Sequence, residues 1–168
     1  MEYVVGLGEA VISTAPEDII RTFALASCVG LTVFCPARSV LAMAHIVLPD
    51  SSFFEAEKAK QEMRFADTAV KGLFEKLSYS YGCISTAEMQ VRIFGGASGD
   101  SGDVFRIGER NLLAVRRELQ KLGLPYDDWE TGGRISRTLV AYTGKGEIEI
   151  IRRPLIALKN RDNRICLD

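Results

Sequence analysis

The chain contains few of the residues that build metal centres and disulfide frameworks. It has one histidine and four cysteines in 168 residues, and no two cysteines form a Cys-x-x-Cys pair. Structural zinc sites need closely spaced thiolate and imidazole ligands, and disulfide frameworks are typical of small secreted domains. We therefore predict no metal and no cofactor, and we expect each cysteine to be either a packing residue or a reactive thiol.

Long hydrophobic runs and an excess of one charge are also missing. The formal net charge is -1, which gives no overall field to attract nucleic acid or an anionic membrane. No apolar run approaches the roughly 20 residues of a spanning helix, and the N-terminus lacks the basic start of a signal peptide. We expect a cytoplasmic protein with no nucleic-acid partner and no membrane insertion.

The pattern that is present predicts strands early in the chain and helices later. A length of 168 residues with 47% hydrophobic residues is typical of one globular domain. We expect a mobile surface segment over 53–63 and a tight corner at 131–133. Apolar spacing predicts strands over 3–7, 9–13, 19–25, 30–34, 40–48, 88–94, 136–142 and 147–152, and helices over 67–77, capped by Asp67, and 108–122. This order predicts an α/β single domain with a mixed, hairpin-rich β-sheet or sandwich flanked by helices.

One predicted hairpin carries the residues of chemical interest. A turn centred at Ala37 pairs Cys28 with residue 46, next to His45, although a shift of one residue moves a side chain to the other face. An imidazole that reaches a thiol can take its proton and leave a nucleophilic thiolate. Ser27 and Gly30 indicate a bend that exposes the thiol and aims backbone N–H groups at an oxyanion, and the Thr22 hydroxyl is a candidate to orient the imidazole. Taken alone, a cysteine before a strand is more often inert packing, and a lone histidine is more often structural.

The chain resembles the CheD family of chemoreceptor glutamine deamidases over most of its length, to about residue 152. The resemblance depends on several short motifs that occur in order. They are Gly6-Leu-Gly8-Glu, Thr22 with Ser27-Cys28-Val29, Met43-Ala-His45-Ile-Val-Leu-Pro-Asp-Ser51, Phe65-Ala-Asp-Thr-Ala-Val70, Ile93-Phe-Gly-Gly-Ala-Ser98, Ile107-Gly-Glu-Arg-Asn111, and Asp128-Trp-Glu-Thr-Gly-Gly133 with Arg137.

The resemblance implies a catalytic set of Cys28, His45 and Thr22, with Ser27 as an accessory residue at the oxyanion. It also implies a fold related to the catalytic domain of toxin deamidases, a domain over 1–153 and a tail over 154–168. The family usually has glycine where this chain has Ala26, a change that would disturb a site that needs a positive φ or a close approach of the substrate there.

The implied activity is cysteine-dependent deamidation of specific glutamine side chains in methyl-accepting chemotaxis receptors, through a thioester and with release of ammonia. A secondary methylesterase activity follows from the same chemistry. The implied partners are the receptor cytoplasmic domains and a CheC-type phosphatase. The alternatives are a non-catalytic adaptor that binds this phosphatase and the receptors, and a cysteine amidase that acts on small molecules.

Overall fold

The computed structural model describes residues 1–52, 61–85, 87–98 and 105–155. Within them the chain forms strands and two long helices, joined by short 3₁₀ turns at Pro36–Arg38 and Glu62–Arg64. The strands are β1 (Glu2–Val4), β2 (Ala10–Ser13), β3 (Ile19–Leu25), β4 (Val29–Cys35), β5 (Val40–Ile46), β6 (Gln90–Gly95), β7 (Asp127–Thr131), β8 (Ile135–Tyr142) and β9 (Glu147–Pro154). The helices are α1 (Ala66–Tyr81) and α2 (Ile107–Lys121).

The strands form two mixed sheets, as the sequence predicted. One sheet has the order β1-β3-β8-β9 and the other has the order β2-β5-β4-β6-β7. The pairs β1–β3 and β6–β7 are parallel, whereas the other neighbours are antiparallel. The α/β class with hairpins and flanking helices is therefore confirmed.

Two apolar clusters separate three layers of structure. The first lies between the five-stranded sheet and the two helices, and the second lies between the two sheets. β4 and β5 are buried along their whole length because they have a cluster on each face. Both helices bury an apolar stripe at helical spacing, which consists of Val70, Leu73 and Leu77 on α1 and Leu112, Val115 and Leu119 on α2.

The register of the β4–β5 hairpin differs by one residue from the prediction. Gly30 lies opposite His45, and Val29 lies opposite Ile46. The innermost pair is Cys35 with Val40, so four residues form the connection, and its last residue, Ser39, has a φ of 52°. The centre of the hairpin therefore lies after Ala37 rather than on it. Because strand side chains alternate, this shift decides which face each residue occupies.

Three details of the sequence interpretation were wrong. α1 begins at Ala66 after Phe65, and Asp67 accepts hydrogen bonds from the Ser51 amide (3.3 Å) and hydroxyl (2.8 Å) instead of capping the helix. β7 was not predicted, because its sequence is polar and forms an edge strand. Pro154, which was assigned to the tail, is the last residue of β9.

Part of the expected surface segment (residues 53–60), residues 99–104 and most of the expected tail (156–168) lie outside the described residues. In the ranges that the structure describes, no helix is long and apolar enough to cross a membrane.

Candidate active site

The backbone of His45 is held by the turn between β1 and β2. The Gly8 amide donates to the His45 carbonyl and the His45 amide donates to the Glu9 carbonyl, each at 2.9 Å. Gly8 has a φ of +73°, and a Cβ there would lie 3.1 Å from the Cβ of Arg64. The motif Gly6-Leu-Gly8-Glu therefore fixes the backbone at the end of β5, which carries His45.

The imidazole of His45 connects the two sheets through Thr22. His45 belongs to the five-stranded sheet and Thr22 to the four-stranded sheet, and their side chains are 3% and 0% exposed. The Thr22 Oγ1 lies 2.7 Å from His45 Nδ1 and donates to the Val5 carbonyl at 2.8 Å. Since the hydroxyl proton goes to Val5, Nδ1 must donate its own proton to Oγ1. This assignment leaves Nε2 with its lone pair, which is the form of a general base.

His45 Nε2 is buried and has no hydrogen-bond partner among the described residues. Buried polar atoms are rarely left without a partner, and exceptions occur at functional sites. The structure therefore holds one ring nitrogen firmly and leaves the other available.

Cys28 precedes β4 on the face that carries His45. His45 lies opposite Gly30, and Cys28 is two residues before Gly30, so alternation gives these three residues the same face. Cys28 packs against the apolar cluster between the two sheets, which confirms this orientation. Gly30 has no side chain to separate the thiol from the ring. The Leu25 side chain occupies the space next to Gly30, and its Cδ1 lies 2.7 Å from the position that a Cβ of residue 30 would have.

The backbone around the thiol is anchored on two sides. On one side, the Gly96 amide donates to the Cys28 carbonyl (2.8 Å) and the Ala97 amide donates to the Ala26 carbonyl (2.7 Å). On the other side, the side-chain amide of Asn111 on α2 donates to the Ser27 carbonyl at 2.9 Å. These bonds fix the main chain at the bend from both neighbouring elements.

The same Asn111 nitrogen donates to the Val47 carbonyl, also at 2.9 Å. Val47 lies two residues after His45, so one amide group joins the segment of the thiol to the segment of the imidazole. Asn111 is 0% exposed. Its two donated bonds assign the side-chain nitrogen, because both neighbours are carbonyl oxygens that only accept.

Ala26 does not require the freedom of glycine. Among the described non-glycine residues, the positive φ values belong to Ala24, Ser39 and Arg106. The strained residue of this region is thus Ala24 (φ 52°), in the β-bulge that follows Thr22 on β3. The expected disturbance at Ala26 does not follow from its backbone conformation.

Burial favours the neutral forms of both Cys28 and His45. Burial raises the pKa of the Cys28 thiol above its usual value, and the nearby Arg64 guanidinium opposes part of this rise. Burial lowers the pKa of His45 below 6.5. A neutral thiol and a neutral imidazole on the same face are suited to proton transfer during the attack on a substrate, rather than to a permanent ion pair.

The other cysteines have different surroundings. Cys35 and Cys83 are 4% and 2% exposed in the core between the sheet and the helices. Burial, together with the neighbouring Cys35, raises the pKa of Cys83 to about 12. Cys166 lies outside the described residues. Of the three described thiols, Cys28 alone is partly exposed.

Sequence reasoning assigned no role to two residues at this site. Arg64 influences the thiol from the 3₁₀ turn before α1, and no pattern in the sequence indicated that it lies near Cys28. Asn111 was visible within a motif, and its position among the buried residues of an amphipathic helix was the available signal. A polar residue on the apolar stripe of a helix needs a buried partner.

Comparison with known proteins identifies the family to which this site belongs. The family model described as CheD chemotactic sensory transduction matches residues 47–152. A protein of Syntrophotalea carbinolica, named "Probable chemoreceptor glutamine deamidase CheD", is 33% identical over 151 residues, which cover 89% of this chain and 93% of that protein. A protein of the same name from Solibacter usitatus is 34% identical and covers 88% of this chain and 86% of that protein. The chain belongs to the CheD family.

Solved structures show a weaker likeness. The structure titled "Crystal structure of Bacillus licheniformis hypothetical protein YfiH" superposes with a TM-score of 0.47 at 12% identity. The match covers 73% of this chain and about half (51%) of that structure.

Proposed function

We propose that this protein is an amidohydrolase that deamidates glutamine side chains of chemoreceptors. The relatives that match across most of the chain have this activity in their names. The observation that carries the proposal is the His45 ring, bonded to Thr22 through Nδ1, with Nε2 available on the face that Cys28 shares. This arrangement supplies a nucleophile, a base and a group that orients the base.

In the proposed first step, His45 Nε2 takes the Cys28 thiol proton while Sγ attacks the carboxamide carbon of the glutamine side chain. The carbonyl oxygen becomes an oxyanion. Backbone N–H groups near Ser27 and Cys28 are the proposed donors to it. The bonds that anchor the carbonyls of Ala26, Ser27 and Cys28 support this role, because they hold the peptide groups in fixed orientations.

In the proposed second step, the imidazolium of His45 protonates the departing nitrogen, the C–N bond breaks, and ammonia leaves behind a thioester on Cys28. A water molecule then gives a proton to Nε2 and attacks the thioester carbon. The C–S bond breaks, the product is glutamate, and the thiol regains its proton. Thr22 keeps the ring in the same tautomer at the start of both half-reactions.

The same nucleophile would attack the carbonyl carbon of a glutamyl methyl ester, with methanol as the leaving group. We therefore include a secondary methylesterase activity in the proposal. Binding to a CheC-type phosphatase stays a prediction from the family resemblance. A non-catalytic adaptor is the competing function, and the experiment below separates it from the enzyme.

The test is to incubate the protein with cytoplasmic fragments of chemoreceptors and to measure ammonia and the masses of receptor peptides. The wild-type protein should release one ammonia for each glutamine that becomes glutamate. Cys28→Ala should abolish this release, whereas Cys83→Ala, which removes a buried thiol away from the site, should retain it. Ammonia release that survives in folded Cys28→Ala protein would refute the assignment. A wild-type protein that binds the fragments without modifying them would favour the adaptor.

A second measurement examines the thiol without any substrate. Iodoacetamide should label Cys28 well ahead of Cys35 and Cys83, because Cys28 is partly exposed and the other two are buried. Equal labelling rates for the three thiols would contradict a reactive Cys28.

A further inference from the structure

A positively charged groove lies along the outer face of α2. Its volume is about 500 Å³, and its lining includes Asp50, Arg110, Leu113, Arg116 and Arg117. Of the described residues, three with guanidinium groups and one with a carboxylate line this groove, although the whole chain has a net charge of -1. The proposed catalytic side chains do not line it, so its charges have no part in the chemistry described above.

The groove is nevertheless close to the nucleophile. Arg110 precedes Asn111, whose side-chain amide is bonded to the carbonyl of Ser27. The path from the Cα of Arg110 through the Asn111 side chain and the Ser27 carbonyl to the Cα of Cys28 consists of covalent bonds and one hydrogen bond. The lengths of these bonds limit the separation of the two Cα atoms to about 13 Å. Asp50, at the other side of the groove, lies three residues after Val47, which is bonded to the same Asn111. A molecule in the groove is therefore within a few residues' length of the thiol.

The outer face of α2 presents charge and apolar surface together. Arg110, Leu113 and Arg117 are spaced i, i+3 and i+7, so they lie in one line along the helix. All three are exposed, and Leu113 is 64% exposed. An exposed leucine between two arginines fits a partner helix that has an apolar residue flanked by carboxylates.

The ion pairs around the groove neutralise only part of the positive charge of its arginines. Arg116 is bonded to Asp128 (2.8 Å), on β7. Arg117 contacts its neighbour Glu118 (3.1 Å), which also contacts Lys121 at 2.9 Å, so that one carboxylate serves two cations. The pKa of Asp50 is lowered, first by its hydrogen bond from the Ser52 hydroxyl and in smaller part by Arg110 and Arg117.

We infer that this groove is the docking surface for an acidic helical segment of the substrate protein, next to the glutamine that enters the site. The inference rests on the proposed function, because it identifies the occupant of the groove with the substrate. About four extended residues of the same substrate chain would span the distance from the groove to Cys28. The carboxylate of Asp50 in the groove disfavours a uniform polyanion such as nucleic acid and suits a helix with separated charges.

The test is a double charge reversal, Arg110→Glu with Arg117→Glu, assayed on a receptor cytoplasmic fragment at low and high salt. The matched control is Lys71→Glu with Lys76→Glu, which makes the same change of net charge on exposed positions of α1. The groove variant should lower kcat/KM by about 10- to 100-fold at low salt, mainly through KM, and the loss should shrink at about 0.5 M salt. The control variant should stay within about 2-fold of wild type.

The labelling rate of Cys28 by iodoacetamide separates docking from damage to the site. This rate should be the same in the groove variant and in wild type, because neither arginine contacts the thiol. An unchanged kcat/KM in the groove variant, an equal loss in the control, or a slower labelling rate would each overturn the inference.

A different experimental result is expected if the proposed function is wrong. In that case the wild-type protein would not modify the receptor fragment at all, and the direct binding of fragment to wild type and groove variant would still test the groove. Weaker binding by the groove variant would support the docking surface without the reaction. Equal binding of the fragment, with loss of binding only to anionic phosphatidylserine vesicles, would assign the groove to a membrane and overturn the inference.

Discussion

A substitution of Asn111 is expected to lower both kcat and the free energy of unfolding, and a matched control can separate the two effects. Its side chain is fully buried and donates to the Ser27 and Val47 carbonyls at 2.9 Å each. Asn111→Leu keeps the branch at Cγ and the number of side-chain heavy atoms but removes both donated bonds. Each buried carbonyl that loses its donor costs about 1–3 kcal/mol. The leucine also removes Asn111 Oδ1, a buried acceptor with no partner among the described residues, so we expect a net loss of about 2–4 kcal/mol.

The expected consequences of Asn111→Leu appear in two assays. Thermal unfolding should show a melting temperature lower by roughly 5–15 °C, given the usual relation between free energy and Tm at this chain length. Deamidation at a temperature well below both transitions should show a kcat lower by about 10- to 100-fold, because the thiol and imidazole segments lose their common tether. KM should change little, since Asn111 is buried and does not form the surface on which the substrate docks.

Leu119→Ala is the matched control for this prediction. Leu119 lies on the same helix, is 0% exposed and packs in the core between the sheet and the helices. Its truncation costs about 2–5 kcal/mol, which is similar to the loss expected for Asn111→Leu. This variant should lose stability and keep its kcat. An equal loss of kcat in both variants, or an undiminished kcat in Asn111→Leu, would refute the positioning role.

Two further predictions concern pH and the backbone at the thiol. Burial lowers the pKa of His45, and the base must be neutral, so kcat/KM should fall with decreasing pH around a midpoint below 6.5; a midpoint at or above 6.5 in the measured pH–rate profile would contradict this. Gly95 has a φ of +88°, and a Cβ there would lie 2.3 Å from the Cys28 carbonyl oxygen. Gly95→Ala should therefore displace the thiol segment and lower kcat by at least about 10-fold. Gly123→Ala introduces a similar strain at φ +65°, and no atom of the described residues lies within 4 Å of the added Cβ, so its kcat should stay normal. Equal kcat values for these two variants, measured by ammonia release, would show that the contact at Cys28 has no effect.

The local elements were predictable because their signals are local. Continuous apolar runs predicted the buried strands, alternation predicted the strand over 88–94, and the apolar stripes of α1 and α2 followed from helical spacing. The hairpin of β4 and β5 followed from two apolar runs around a turn with Pro36. The candidate nucleophile and base were visible as a cysteine at a bend and the only histidine of the chain. β7 was missed because its polar sequence forms a strand only where β6 offers it an edge.

The tertiary structure decided which of these residues meet. A shift of one residue in the hairpin, whose connection ends with Ser39 in a left-handed conformation, gives Cys28 and His45 the same face. Thr22 lies 23 residues before His45 and in another sheet, and only the packing of the two sheets brings its hydroxyl to 2.7 Å from the ring. Sequence patterns specify the inward face of each strand separately. Contacts between sheets depend on register and packing, and these are properties of the whole fold.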